Sequence, residues 1–585
     1  MKEYIKKYYK YYLIIILIAI IVTSGLLVNG LPKAHDLNAH MARAVGTATA
    51  LKEGQIPPLV VSNYANGLGY AWNMFYPPLA PYIMTVLRLF VFSYVNALKL
   101  LIIIFMCIAG IGMFKLIEEL TANKHVSLLG AIIYMCSPYI ITDIYIRMAV
   151  GEILSYACYP ILFLGLHNLI NGNGKKYTLI TVGTVGILLS HNISSLFAFG
   201  MAVIYILFNI NKLKSKEIWK KIGINVAFII LIVGFFYFPL LQAEKSTEYE
   251  AFTYGRMATI EFFKEHTVYL SQILFGKMQA GSSYPLSDPN NVDSEMCMQI
   301  GLFIIIPVLF TPFVYKKISK KNRKNYLLTL IIGILAIFAA TPLFPYDIIP
   351  KQIAIIQYPW RFLVIATFTL TIIATINIYK IFEKITLKEI LVFTTIILTY
   401  ISPLIFASGF ETDTKDSKYT GEDKIQLPIY YSIGTIGLEY LPNKAYENVE
   451  YLQSRDQNVL VISGQIQIVE QNKNGSKMNI TFKNTNEKAS IELPYIYYPG
   501  YEIKINDKKV DYYESEKGLI EMDIPENTEG NINIRYTGTK LARITWIISL
   551  ISLIIFIIYN IRLILRNKNG TKFLSDKLSK KEHLK

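Results

Sequence analysis

The chain has 585 residues, 53% of them hydrophobic, a formal charge of +16 and a positive mean hydropathy. Apolar runs of about 18 to 22 residues, the length a helix needs to cross a bilayer, recur along it and exclude a soluble enzyme. The basic residues stand in short clusters between these runs and at both ends, so the charge reads as membrane orientation and excludes a nucleic-acid surface.

The start, "MKEYIKKYYKYYLIIILIAIIVTSGLLV", joins a basic head to a long apolar run without a small-residue cleavage site, which predicts a retained first helix. With Lys2, Lys6, Lys7 and Lys10 in the cytoplasm, helix 12–29 runs outward and residues 30–97 form a first outer loop. Spans are then expected at 98–116, 126–143, 153–171, 177–190, 194–211, 222–240, 298–315, 326–342, 362–380, 388–407 and 542–563. A long outer loop occupies 241–297, and every basic cluster between spans, "NKLKSKEIWKK" and "KKISKKNRKN" among them, falls inside. The stretch "FYPPLAPYIMTVLRLFVF" is short and interrupted by Arg88, so it reads as an interfacial or re-entrant helix and leaves about twelve spans. Cys107, Cys136, Cys158 and Cys297 lie in or beside apolar runs without metal-type or paired spacing, which indicates neither a structural zinc nor a disulfide scaffold.

Residues 408–541 change character. Period-two stretches such as "NVLVISGQIQIVEQ", "KMNITFKN", "YEIKIND" and "NINIRYTG" alternate with turn clusters, which predicts an extracytoplasmic β-sandwich ahead of the last span. The expected division is therefore a membrane domain over 1–407, a β-rich domain over 408–541, a final helix over 542–563 and a basic cytoplasmic tail over 564–585. Both termini are expected in the cytoplasm of a multi-pass plasma-membrane protein.

Polar residues set into apolar sequence gather at the outer ends of these segments. Helix 36–52, stopped at Gly54, carries Asp36, His40 and Arg43 at i, i+4 and i+7, with Leu37, Met41, Ala44 and Ala48 on its other face. Arg147 and Glu152 lie in "YIRMAVGEILSYACYP", His191 and Asn192 in "LLSHNISSLF", Glu244 and Lys245 beyond "FPLLQ", and Arg361 in "IQYPWRFLV". Each has an ordinary alternative: Asp36 as a helix cap, Arg43 on lipid phosphate, Arg147 and Glu152 as a paired bridge, His191 as a satisfied imidazole, Arg361 as an interfacial anchor. Their arrival at one side favours a shared anion-receiving cavity, with basic groups for a phosphate and a carboxylate for a general base. The aromatic run "YANGLGYAWNMFYPPLAPY" offers faces suited to sugar rings or isoprenoid chains, and equally to a membrane interface.

A first outer loop with an acid just after the first span, followed by juxtamembrane helices, resembles the GT-C superfamily of integral membrane glycosyltransferases. "HDLNAHMARAVGTATALKEGQIPPLVVSNYANGLGYAWNMFYPPLAPY", "YIRMAVGEILSYACYPILFLGL", "LLSHNISSLF" and "IQYPWRFL" are similar to bacterial YfhO-like proteins and to membrane proteins described as 6-pyruvoyl-tetrahydropterin synthase-related. The resemblance implies a GT-C-like bundle, with Asp36 as the base that activates an acceptor and a polyprenyl-phosphate sugar as donor. Arg147, Arg361 and Arg43 would meet the phosphate, supported by His40, Glu152, His191 and Glu244. Many members carry an acidic pair in the first loop, whereas Asp36 is flanked by His35, so metal-independent transfer fits better than a divalent metal and no cofactor is implied. The implied partners are membrane lipid, the lipid-linked donor and a cell-surface glycan, glycolipid or protein acceptor. A transporter for lipid-linked saccharides, or a non-catalytic scaffold for envelope assembly, would use the same charged cavity.

Overall fold

The computed structural model describes residues 2–253, 259–282, 295–412, 438–485 and 487–582. Parts of the expected loop 241–297 and of the region 408–541 lie outside the described residues. Among the described residues, seven helices are long and apolar enough to cross a membrane: Tyr94–Thr121, Val150–Asn171, Lys216–Glu244, Lys320–Ala340, Pro359–Phe382, Leu387–Ile405 and Lys540–Arg566. An eighth span results if Lys124–Met135 and Pro138–Arg147, bent by 42° at their break, act as one. Pro138 causes that break, because its ring disfavours helical backbone at Ser137.

The expected count of about twelve is not confirmed. The runs expected at 177–190 and 194–211 form helices of only 10 and 17 residues, Leu179–Leu188 and Asn192–Phe208, interrupted at Ser190 and His191. The run at 298–315 divides into Leu302–Leu309 and Thr311–Val314, with Pro312 opening the second piece. The first helix, Lys2–Val22, starts earlier and ends earlier than the expected 12–29. Leu79–Val91 has 13 residues, about 20 Å of helix against an apolar core of about 30 Å, so it is too short to cross.

Among the described residues, two larger antiparallel sheets stand before the last helix. One has the order β3-β6-β10-β9, from strands Leu460–Ser463, Ala489–Ile496, Leu519–Ile524 and Tyr513–Glu514. The other has the order β4-β5-β11-β7-β8, from Gln467–Asn474, Lys477–Asn484, Thr528–Tyr536, Tyr501–Ile505 and Lys508–Val510. Ile480, Phe482, Ile503, Ile532 and Ile534 of one sheet share a core with Ile491, Leu493, Ile520 and Met522 of the other. Alternation was the guide to β3, β4, β5, β7 and β11. β6 escaped it because every one of its residues is buried, which erases the period-two contrast.

This β-rich unit is not a free appendage. Leu59, Val60, Leu68, Tyr70, Trp72 and Phe75 of the first loop belong to its core. The ring of Phe75 stacks on Tyr440 at 5.2 Å, and Tyr249 stacks on Tyr498 at 6.3 Å. Two-residue strands β1 (Leu31–Pro32) and β2 (Phe410–Glu411) pair antiparallel and tie the start of the first loop to the exit of helix Leu387–Ile405. Gly475, in the β4–β5 turn with φ of +59°, lies where a Cβ would collide with the carboxylate of Glu53. That carboxylate accepts from Ser476 N at 3.2 Å. Asn66 Nδ2 donates to the carbonyls of Leu452, Gln453 and Arg455, the last at 2.9 Å. Lys473 Nζ donates at 2.6 Å to the carbonyls of Gly67 and Pro494 and to Gln457 Oε1.

The seam makes a testable demand on Asn66, which has a φ of 56° as well as its carbonyl contacts. Asn66→Ala removes these bonds and strains the backbone, at a cost of about 1–3 kcal/mol. Hydrogen exchange should accelerate in 59–71 and 449–458 while the transmembrane helices stay protected; unchanged exchange at the seam would contradict the docking.

Candidate functional site

Asp36 occupies the position before helix Leu37–Lys52, yet its side chain makes no capping bond. The cap alternative therefore leaves its carboxylate unexplained. Backbone bonds fix it instead: Asp36 N donates to Arg147 O at 2.8 Å, and His35 N to Ile146 O at 3.0 Å. The first loop thus lies along the wide π-helical turn Asp143–Arg147. Leu37, Met41 and Ala44 pack into the main core of the bundle. His40 and Arg43 are also enclosed, at 7% and 2% exposure, so Arg43 is not a surface grip on lipid.

Behind Asp36 is a buried ion network. Arg147 Nη1 and Nη2 donate to Glu152 Oε2 and Oε1 at 3.0 and 2.8 Å, and Nη1 also donates to Asp143 Oδ1. Arg361 Nε donates to the same Glu152 Oε1 at 3.1 Å, while its Nη1 donates to Ile356 O and Gln357 Oε1. Tyr139 OH donates to Glu152 Oε2 at 3.1 Å. The Arg147 guanidinium lies over the Trp360 ring at 4.3 Å. Arg147 and Glu152 are therefore the paired bridge that was one alternative, extended to a second arginine and a second acid. Arg361 is buried in this network and is not an interfacial anchor.

Arg43 is different. It donates from Nη2 to Tyr76 O and Pro77 O at 3.1 and 2.9 Å, and its guanidinium lies 4.2 Å from the Tyr76 ring centroid. Its Nε and Nη1 are buried without a hydrogen-bond partner among the described residues, and no carboxylate pairs with it there. Burial lowers its pKa to about 10, partly offset by the Tyr76, Tyr440 and Tyr82 hydroxyls. Buried donors of this kind are costly to leave unmade.

Two imidazoles flank this guanidinium through Tyr76, whose ring lies 6.3 Å from both His40 and His191. Burial, then Arg43 and His191, hold His40 down at about 3. Burial likewise brings His191 to about 3 against the pull of Glu152, with Arg361 and Arg147 reinforcing it. Both rings are neutral near pH 7. His191 Nδ1 meets Ser194 Oγ at 2.9 Å and accepts from Ser194 N at 3.2 Å, so the satisfied-imidazole alternative holds for that nitrogen. Asp36, which is half-buried, has its pKa raised by burial, against the lowering fields of Arg147, Arg361 and His35.

The structure thus brings Asp36, His40, Arg43, Arg147, Glu152, His191 and Arg361 together. Glu244 is exposed at the end of helix Lys216–Glu244 and takes no part in these contacts. The aromatic run of the first loop is no open platform: Tyr64, Tyr70, Trp72 and Phe75 are consumed by packing against the β-rich unit. Sequence reasoning missed Asp143, Tyr139, Tyr76, Gln357 and Trp360. Asp143 was detectable, as a carboxylate four residues before Arg147 inside an apolar run. Among the described residues no three His, Cys, Asp or Glu converge as metal ligands. Glu152→Gln removes the charge shared by two arginines, a change of about 3–5 kcal/mol for a buried ion pair. The purified protein should unfold several degrees lower, and an unchanged melting temperature would show that the network is not bearing charge.

Residues 74–410 match the family described as "6-pyruvoyl-tetrahydropterin synthase related domain; membrane protein". An uncharacterized protein of Lactococcus lactis subsp. cremoris (strain MG1363) is 26% identical over 610 residues, covering 95% of this chain and 96% of that protein. Among solved structures, the arabinofuranosyltransferase AftD from Mycobacteria aligns with a TM-score of 0.42 and 12% identity over 68% of this chain. The aligned part spans 26% of that enzyme, about a quarter of its length. The family match runs from within the first loop to just beyond the exit of helix Leu387–Ile405, more than half of the chain: the chain belongs to the 6-pyruvoyl-tetrahydropterin synthase related family of membrane proteins.

Proposed function

We propose that this protein is a membrane glycosyltransferase that moves a sugar from a polyprenyl-phosphate donor to a cell-envelope acceptor at the outer face of the membrane. The observation that carries this reading is a contrast on one helix face: a half-buried carboxyl at Asp36 and a buried guanidinium at Arg43 that no carboxylate among the described residues pairs with. The resemblance of the first loop to GT-C enzymes supports the same assignment.

In the proposed reaction, the Asp36 carboxylate takes the proton of an acceptor hydroxyl. That oxygen bonds to the anomeric carbon of the donor sugar as the bond from that carbon to the phosphate oxygen breaks. The polyprenyl phosphate departs with the electron pair, and the configuration at the anomeric carbon inverts. Arg43 supplies the N–H groups that have no partner among the described residues, and Arg361 supplies Nη2, which makes no hydrogen bond among them either. Arg147 adds its charge while Glu152 and Asp143 hold it in place. Donors aimed at charge that develops on a leaving phosphate act strongest in such a water-poor site. Neutral His40 and His191 hydrogen-bond to the substrates without adding charge.

The direct test follows label from a radiolabelled polyprenyl-phosphate hexose into envelope extract, using the full chain in lipid. Wild type should transfer, and Asp36→Asn should lose at least ~100-fold of the rate, the scale of a general base; transfer unchanged in that variant would remove Asp36 from the base role. Saccharide movement across liposomes without transfer would make the protein a transporter.

Because the Asp36 pKa is raised, the base is active only above that raised value. The rate should fall on acidification at a pH above the ordinary aspartate value of 3.8, and an acid limb at or below it would contradict the burial account. A raised folded-state pKa also means that ionised Asp36 costs stability once pH exceeds it, so Asp36→Asn should melt at the same or a higher temperature near pH 7. A lower melting temperature would show that the carboxylate is structural. For sidedness, a cysteine at Ser282 should react with an impermeant reagent from outside and one at Lys317 should not; the reverse pattern would invert the proposed topology.

A further inference from the structure

We propose that the end of the bundle where the chain begins holds a site for an anionic phospholipid, its phosphate taken by Lys7, Lys115 and Lys124 around the ring of Tyr8. The site lies at the far end of the first helix from Asp36 and does not depend on the transfer reading.

Three helices meet there. Tyr8 belongs to the first helix, Lys2–Val22, Lys115 stands near the end of Tyr94–Thr121, and Lys124 opens Lys124–Met135. The two-residue turn between the last two helices has Ala122 at a φ of 55° and Asn123, whose side chain caps the new helix by accepting from His125 N and Val126 N. That tight reversal returns Lys124 to the first helix. The ring centroid of Tyr8 is 3.8 Å from Lys115 Nζ, 4.6 Å from Lys124 Nζ and 5.9 Å from Lys7 Nζ. Lys10 Nζ stands 5.0 Å from the ring of Tyr11, one turn further along.

One carboxylate joins this group. Tyr8 OH donates to Glu118 Oε1 and Lys115 Nζ to Glu118 Oε2, both at 2.8 Å, so both of its oxygens are engaged. The first ten residues carry four lysines and one acid, Glu3, so a surplus of positive charge stands with Glu3 counted in full. Ammoniums gathered around one ring repel each other, and the aromatic face offsets only part of that cost. A phosphate among them offsets more, through charge-assisted hydrogen bonds.

The surface beside the lysines identifies the phosphate as a lipid's. From Lys115 an apolar stripe follows one face of its helix through Ile111, Ile108 and Ile104, half-buried at first and exposed at Ile104. The first helix presents a second stripe, from half-buried Tyr12 to exposed Ile16 and Ile20. The two start together, with Lys115 Nζ 5.6 Å from the Tyr12 ring, and the helices stay in close contact at Gly110, where a Cβ would meet Ile15 Cγ2 at 2.7 Å. Charge at the helix ends above paired apolar stripes matches a headgroup above two acyl chains.

The test melts the full chain in phosphatidylcholine nanodiscs with and without phosphatidylglycerol as a tenth of the lipid. Phosphatidylglycerol should raise the wild-type melting temperature by about 2 °C or more, as a ligand of the folded state does, and inorganic phosphate added to phosphatidylcholine discs should not. Lys7→Gln/Lys124→Gln, which leaves the Lys115–Glu118 bridge in place, should lose that rise, and Lys124→Arg should keep it. Lys320→Gln/Lys321→Gln, which removes the same charge from another basic loop, should keep it as well. No rise in the wild type, an equal rise with inorganic phosphate, or an equal loss in both double variants would overturn the proposal.

Discussion

Two arginines share one buried carboxylate, and the rest of the site depends on that constraint. Glu152 receives Arg147 through both of its terminal nitrogens and Arg361 through Nε. It thereby ties the bent segment Pro138–Arg147 to helix Val150–Asn171 and to the segment before Leu363. Charges removed from water this far are tolerable only when paired and hydrogen-bonded. Asp143, Tyr139, Gln357 and the face of Trp360 complete the partners. Asp36 is then positioned through the backbone, because its N–H bonds to the carbonyl of Arg147.

The network is close to neutral in itself, with two guanidiniums set against Glu152 and Asp143, and this separates its role from that of Arg43. A neutralised cluster is a scaffold that orients; an unpaired buried guanidinium is a standing demand for an anion. The imidazoles between them are held neutral, so the field at Arg43 is not diluted by neighbouring cations. The β-rich unit closes the arrangement from the other side. Its core is continuous with the first loop, so the loop and the sheets form one packed body. Such a site carries unsatisfied donors and a raised carboxyl at some cost in stability, a pattern expected where binding rather than folding selects the residues.

The helix 36–52 was legible because it combines periodic apolar residues with Gly54 at its end, and the grouping of Asp36, His40, Arg43, Arg147, Glu152, His191 and Arg361 followed from their places at segment ends. Most strands were legible by alternation. What was not legible had physical reasons. β6 is buried on both faces and presents no alternation. The number of spans depends on where Pro and Ser interrupt helices, and hydropathy averages over such breaks. The aromatic run in the first loop looked like a ligand surface, but its partner is the β-rich unit hundreds of residues away, which no local pattern encodes. Glu244 shares the composition of a site residue and lacks its burial. Asp143 was hidden only by its place near the end of an apparent span, four residues from the arginine it holds.

The central claim is the proposal that Arg43 binds an anion through Nε and Nη1, unpartnered among the described residues, and is not a packing residue. Equilibrium binding of radiolabelled polyprenyl phosphate, without a sugar, to the full chain in lipid nanodiscs tests it most directly. The account predicts saturable binding by wild type and a loss of at least ~10-fold in affinity for Arg43→Gln, in line with loss of a charge-assisted contact. Equal affinity in a variant with the wild-type melting temperature would contradict it.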